Sequence, residues 1–175
     1  MTLGIIILLA VTLERLGELW LANRNTKRLV AAGAQEFSRG HYPLIVALHA
    51  SWLAALWWLA PGRLVSVPLL LLFALVECAR IWVLRTLGRR WSTRIIVVPG
   101  ETLIRRGPYR FLNHPNYAVV VAEIAMLPLV FGLWEVAVIF TLLNAVMLTI
   151  RISAENRALS ACRPRSGETP ARSAP

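Results

Sequence analysis

Cysteine and acidic side chains are scarce in this chain, and each scarcity removes a class of answer. The two cysteines, Cys78 inside an apolar run and Cys162 near the C-terminus, offer neither a disulfide framework nor the paired C-x-x-C spacing of a structural zinc site. Nine acidic residues against nineteen Lys and Arg leave a formal charge of +10, which in a soluble chain would point to nucleic acid. Here the arginines sit between apolar runs rather than along one face, so cytoplasmic anchoring of a membrane protein is the simpler cause. Charged residues make up only 16% of the 175 positions and hydrophobic ones 57%, too apolar for a soluble fold, so the surplus must face lipid. No disulfide, no metal and no nucleic acid partner is expected. No internal repeat is visible, and one segment, from Arg163 on, has the Pro, Ser, Arg and Gly content of a disordered tail.

What is present is a series of apolar runs. Residues 2–22, 43–60, 64–87, 116–131 and 133–150 are each near the ~20 residues that cross the hydrocarbon of a bilayer. The expected fold is therefore all-α: a polytopic integral membrane protein of about five transmembrane helices over residues 1–162, followed by a cytoplasmic tail, 163–175. The N-terminus has no cationic start or small-residue cleavage site of a signal peptide, so the stretch from Leu3 into Glu14, Arg15 and Glu18 is expected to stay as the first span. Only Gly132 and its neighbours separate the last two spans, which predicts a tight helical hairpin with Pro128 as a kink. Trp52, Trp57 and Trp58 are expected at a headgroup boundary.

Orientation follows from the cationic connections. Residues 23–42 hold four Lys or Arg, residues 88–115 six, and the tail from Arg151 five, whereas the second connection has only Arg63 and the fourth has none. Five spans with the N-terminus outside put all three basic segments on the cytoplasmic side of the inner membrane.

The stretch from Trp91 to Tyr117 is not a span. Its Ile95-Ile96-Val97-Val98 run, Pro99-Gly100 turn signal and Gly107-Pro108 pair predict a compact loop against the membrane face, a place where function concentrates. Within it stand Gly107-Pro108-Tyr109-Arg110 and Asn113-His114-Pro115-Asn116-Tyr117. After an apolar hairpin comes Arg151-x-x-x-Glu155. This order resembles the isoprenylcysteine carboxyl methyltransferase family. Glu14-Arg15-x-x-Glu18-Leu19, Asn23-Arg24-Asn25 and His41-Tyr42-Pro43 with His49 are similar to bacterial members, which extends the resemblance to about residues 10–160. Asn113 and Asn156 depart from it, standing where an arginine and a second acid often occur.

The resemblance implies S-adenosyl-L-methionine as cofactor and methyl transfer as activity. It assigns cofactor binding to Glu101, Thr102, Leu103 and Ile104, to Tyr109, to His114 and to Glu155, with Tyr117 as a neighbour, and it associates Arg151 with the substrate. Chemically, Glu155 suits the ammonium of the donor, His114 can hydrogen-bond it, and the tyrosines can wall it. Arg151 and Glu155 are four apart and share one helical face, about 5–6 Å between Cβ atoms. The bland alternative for the pair is an interfacial salt bridge; for the tyrosines it is the aromatic belt.

Acids inside apolar runs need partners. Glu77 and Arg80, three apart, are expected to neutralise each other, and Glu14, Arg15 and Glu18 to form a second cluster. Glu123 has no basic residue within a turn, so it must pair with another helix, hold a proton, or face a ligand, which makes it a candidate for substrate binding. The expected acceptor is a lipid-like molecule presenting a carboxylate or a phenolic or enolic hydroxyl, methylated by direct in-line transfer. The rival readings are a phospholipid N-methyltransferase, which resembles this chain in its last helices, and a small non-enzymatic transporter or partner protein.

Overall fold

The structure, a computed structural model, describes residues 2–37, 40, 42–97 and 104–161, with the side chains of 156 and 158–161 left aside. Five helices dominate: α1 (Thr2–Ala31), α2 (Tyr42–Leu59), α3 (Val67–Leu87), α4 (Pro115–Val130) and α5 (Trp134–Ala161). Two three-residue strands, β1 (Gln35–Phe37) and β2 (Ile95–Val97), pair antiparallel with Glu36 opposite Ile96. The chain is a multi-pass membrane protein. Among the described residues, α2, α3 and α5 are long and apolar enough to cross a bilayer. At 16 residues α4 is shorter, and α1 carries Glu14, Arg15 and Glu18 midway along its length.

The helices end where local chemistry stops them. Pro68 opens α3 and Pro115 opens α4, both in the first turn, where a missing amide donor costs nothing. At the far end of α4, Pro128 falls in the last turn, and its carbonyl accepts the amides of Phe131 and Leu133, each at 3.0 Å. Gly132, at φ +69°, then reverses the chain into α5. The expected hairpin is thus present, with Pro128 ending the helix. Beyond the hydrocarbon α5 does not stop near residue 150; it continues to Ala161 and carries Arg151 and Glu155 on one uninterrupted helix.

Along the bundle axis the buried residues sort into three levels. One end is an apolar core in which Leu8, Val11, Leu56, Phe73, Leu127 and Phe131 meet. Trp52 belongs to this core, with its indole N–H donating to the Ile124 carbonyl at 3.3 Å, and Trp57 donates to Thr12 Oγ1 at 3.0 Å. Of the three tryptophans expected at a boundary, Trp58 is exposed and Trp57 half-buried. Trp57 and Trp58 stand in the last turn of α2, whereas Trp52 lies farther inside it.

The middle level is ionic. Arg80, 5% exposed, grips Glu18 with Nε and Nη2, both at 2.6 Å, and reaches Glu123 at 3.4 Å. Arg15 contacts Glu18 and Glu123 at 3.1 Å, Glu14 at 3.5 Å and Glu77 at 3.8 Å. The expected Glu77–Arg80 pair is therefore replaced by pairs between helices. Spacing on one helix made Glu77 a neighbour, but Glu18 on α1 offers both oxygens to the guanidinium fork, which is the stronger geometry.

Candidate active site

The third level is a cavity, and it is built around the short loop that follows α3. Gly88–Arg90 form one 3₁₀ turn, and Trp91 to Arg94 lead into β2. Asn25, near the end of α1 and 2% exposed, donates through its side-chain amide to the carbonyls of Gly88 (3.2 Å) and Trp91 (2.8 Å). Thr26 and Ser92 share a hydroxyl hydrogen bond at 3.0 Å, and Ser92 Oγ accepts the Arg94 amide. Arg94 pairs with Glu36 of β1 at 2.8 Å and lies over the Tyr42 ring; the Glu36 carboxylate holds its guanidinium above the usual range. The loop is thus clamped by α1, β1 and the start of α2.

This clamp positions α5. The Thr93 carbonyl accepts Arg151 Nη2 at 2.6 Å, while Arg151 Nε donates to the Tyr117 hydroxyl at 3.0 Å. Tyr117 in turn donates to Glu155 Oε2 at 2.5 Å. Arg151 and Glu155 share a helical face, as their spacing requires, yet they are joined through the phenol of Tyr117 on α4. The His114 ring stacks on Tyr117 at 5.3 Å with planes 15° apart, and its Nδ1 lies 3.9 Å from Glu155 Oε2. Tyr109 stands on a second 3₁₀ turn, Gly107–Arg110. Burial pushes its phenol up to about 12, with the Glu155 carboxylate adding to the effect, so it stays a neutral donor.

Ile104, Tyr109, His114, Tyr117, Arg151 and Glu155 all line one cavity of about 780 Å³. Glu101, Thr102 and Leu103 lie outside the described residues. Glu123 lines none of this cavity; its carboxylate is engaged by Arg15 and Arg80 in the ionic level. Sequence reasoning missed the Thr93 carbonyl and the amide of Asn25. A backbone acceptor leaves no mark in a sequence, but an asparagine buried near the end of a long helix is a signal for a cross-link to a loop.

Residues 69–161 match the isoprenylcysteine carboxyl methyltransferase (ICMT) family. The chain belongs to that family. It is accordingly a membrane methyltransferase. The uncharacterized protein YpbQ of Bacillus subtilis (strain 168) is 35% identical over 159 residues, covering 83% of this chain and 90% of that one. That likeness is too long to be confined to the family segment, so it reaches into the N-terminal helices. No solved structure matches. The ICMT segment begins inside α3 and holds the cavity's Tyr109, His114, Tyr117, Arg151 and Glu155, whereas Asn25, Glu36 and Tyr42 brace it from outside.

Asn25→Leu keeps the volume but strands two carbonyls, an expected loss of about 1–3 kcal/mol. Thermal unfolding in detergent should fall accordingly, and hydrogen exchange of amides 88–94 should quicken. Unchanged protection of those amides would show that Asn25 does not hold the loop.

Proposed function

We propose that the protein transfers a methyl group from S-adenosylmethionine to an oxygen of a lipid-like acceptor, at the cytoplasmic face of the inner membrane, with the N-terminus outside and the C-terminus inside. The observation that carries this reading is the Arg151–Tyr117–Glu155 bridge. One phenol ties a carboxylate suited to the donor's ammonium to a guanidinium suited to an anionic acceptor oxygen, in one cavity. The donor set fits the cofactor. Glu155 answers its amino group, the stacked His114 and Tyr117 rings and neutral Tyr109 offer walls to a purine, and about 780 Å³ lies within the ~300–1,000 Å³ usual for small-molecule sites.

The sulfonium supplies the methyl; the protein supplies alignment. Arg151, anchored on Thr93 and Tyr117, has a fixed direction and can hold a carboxylate by charge-assisted hydrogen bonds. For a phenol or enol the same cation favours the ionised oxygen. In-line transfer asks for the methyl and the acceptor oxygen to be aligned, and no covalent enzyme intermediate is needed.

Calorimetry with S-adenosylhomocysteine in detergent tests the cofactor. The parent protein should bind it, Glu155→Ala should lose about ten- to a hundredfold in affinity, as for a hydrogen bond to a charged group, and His114→Ala should lose less. Absence of binding by the parent sinks the proposal. Membranes incubated with methyl-labelled donor then report the acceptor: label on an ester or ether oxygen supports O-methylation, and label on a headgroup amine refutes it in favour of the N-methyltransferase reading.

A further inference from the structure

One edge of the cavity has no use in the chemistry above. Arg105 and Arg110 both line the cavity and are exposed, and neither makes a hydrogen bond or ion pair among the described residues. Arg94 and Arg151, by contrast, are engaged, with Glu36 and with Thr93 and Tyr117 respectively. Directly after Arg110 come Phe111, 74% exposed, and Leu112, 53% exposed. α4 starts three residues after Leu112, at Pro115, so this edge stands where the apolar helices end and the polar loop begins.

The edge is also rigid. Gly107 has φ +57°, and a Cβ there would lie 2.5 Å from Thr86 Oγ1, so the turn is seated against the end of α3 with no room for a side chain. The Pro108 carbonyl accepts the amides of Phe111 and Leu112, both at 3.1 Å, which fixes the apolar pair relative to the turn. Two guanidiniums without a partner among the described residues, followed along the chain by two exposed apolar side chains that lie outside the cavity lining, give this segment a cationic part and an oily part. A positive-inside loop needs only charge in water. It does not call for arginines that line a cavity, nor for Phe and Leu exposed beside them.

We propose that this edge is a headgroup subsite for an anionic lipid, with Arg105 and Arg110 on the headgroup's charged oxygens and Phe111 and Leu112 against the first carbons of its chains. Resting on the methyltransferase reading, this names the acceptor's class: an amphiphile with a negatively charged headgroup. Planar guanidiniums favour phosphate and carboxylate oxygens by paired, charge-assisted hydrogen bonds, and a zwitterionic headgroup offers them a partly cancelled partner.

The test titrates short-chain phosphatidylglycerol, short-chain phosphatidylcholine and inorganic phosphate into the full chain in neutral detergent, read by calorimetry, after S-adenosylhomocysteine has been titrated into the same sample. Phosphatidylglycerol is expected to bind saturably and about tenfold tighter than phosphatidylcholine. The Arg105→Gln/Arg110→Gln double variant should erase that difference with an unchanged unfolding midpoint, and Phe111→Ser should weaken both lipids alike. Equal affinity for the two lipids, a difference that survives in the double variant, or inorganic phosphate binding as tightly as phosphatidylglycerol would each overturn the subsite. If the parent binds S-adenosylhomocysteine but shows no lipid preference, the subsite alone falls. If it binds the anionic lipid but no S-adenosylhomocysteine, the subsite stands and the methyltransferase chemistry is what fails.

Discussion

With Arg80 replaced by methionine, the protein is expected to lose about 3–5 kcal/mol of folding stability in detergent micelles. Arg80 makes two 2.6 Å bonds to Glu18 and a 3.4 Å contact to Glu123, from a position 5% exposed. Without it, four carboxylates, Glu14, Glu18, Glu77 and Glu123, have Arg15 as their one guanidinium in that level among the described residues. An acid left in a low-dielectric layer without its partner carries the full cost of lost hydration. The companion Arg80→Met/Glu18→Leu change removes cation and acid together and should recover much of the loss, since an apolar replacement of a buried pair is often neutral. Equilibrium unfolding of both variants in the same detergent decides the matter. A single variant as stable as the parent, or a double variant worse than the single one, would mean that Arg80 does not hold the level together.

The second large effect is expected at Arg151, on rate rather than stability. Arg151→Lys keeps the charge but loses the fork that bonds Thr93 on one side and Tyr117 on the other. A cation free to move by about 1 Å misaligns the acceptor, a displacement that can cost on the order of a hundredfold in rate. The initial rate of label incorporation at saturating donor should drop by about that factor. Affinity for S-adenosylhomocysteine should be retained, because Glu155 keeps its bond to Tyr117. Tyr117→Phe, which removes the link to both residues, should lower rate and affinity together. A fully active Arg151→Lys protein would show that acceptor orientation does not depend on the fork.

These two residues also mark how far a sequence can be read. The apolar runs announced the helices, because crossing a membrane demands contiguous stretches whatever the partners are. The four-residue spacing announced that Arg151 and Glu155 face one way, because α5 is helical through both. What spacing could not reveal is that Tyr117, 34 residues earlier in the chain than Arg151, stands between them. Arg80 was misread for the same reason: intrahelical proximity nominated Glu77, while the contact made is with Glu18, 62 residues away. The β1–β2 pairing was out of reach altogether. Three residues per strand carry no periodicity, and their partners are 60 positions apart, so that only the folded bundle brings Glu36 opposite Ile96.

The charges on α1 bear on how the protein is made. Glu14, Arg15 and Glu18 near the middle of a lone helix would each disfavour residence in lipid by about 2.5–3.5 kcal/mol. Their partners Glu77, Arg80 and Glu123 belong to α3 and α4, which leave the ribosome later. Made before these partners, α1 would sit in lipid with its charges unmatched until they pack against it. Stable insertion of α1 is therefore expected to be coupled to that of α3 and α4 rather than independent of it.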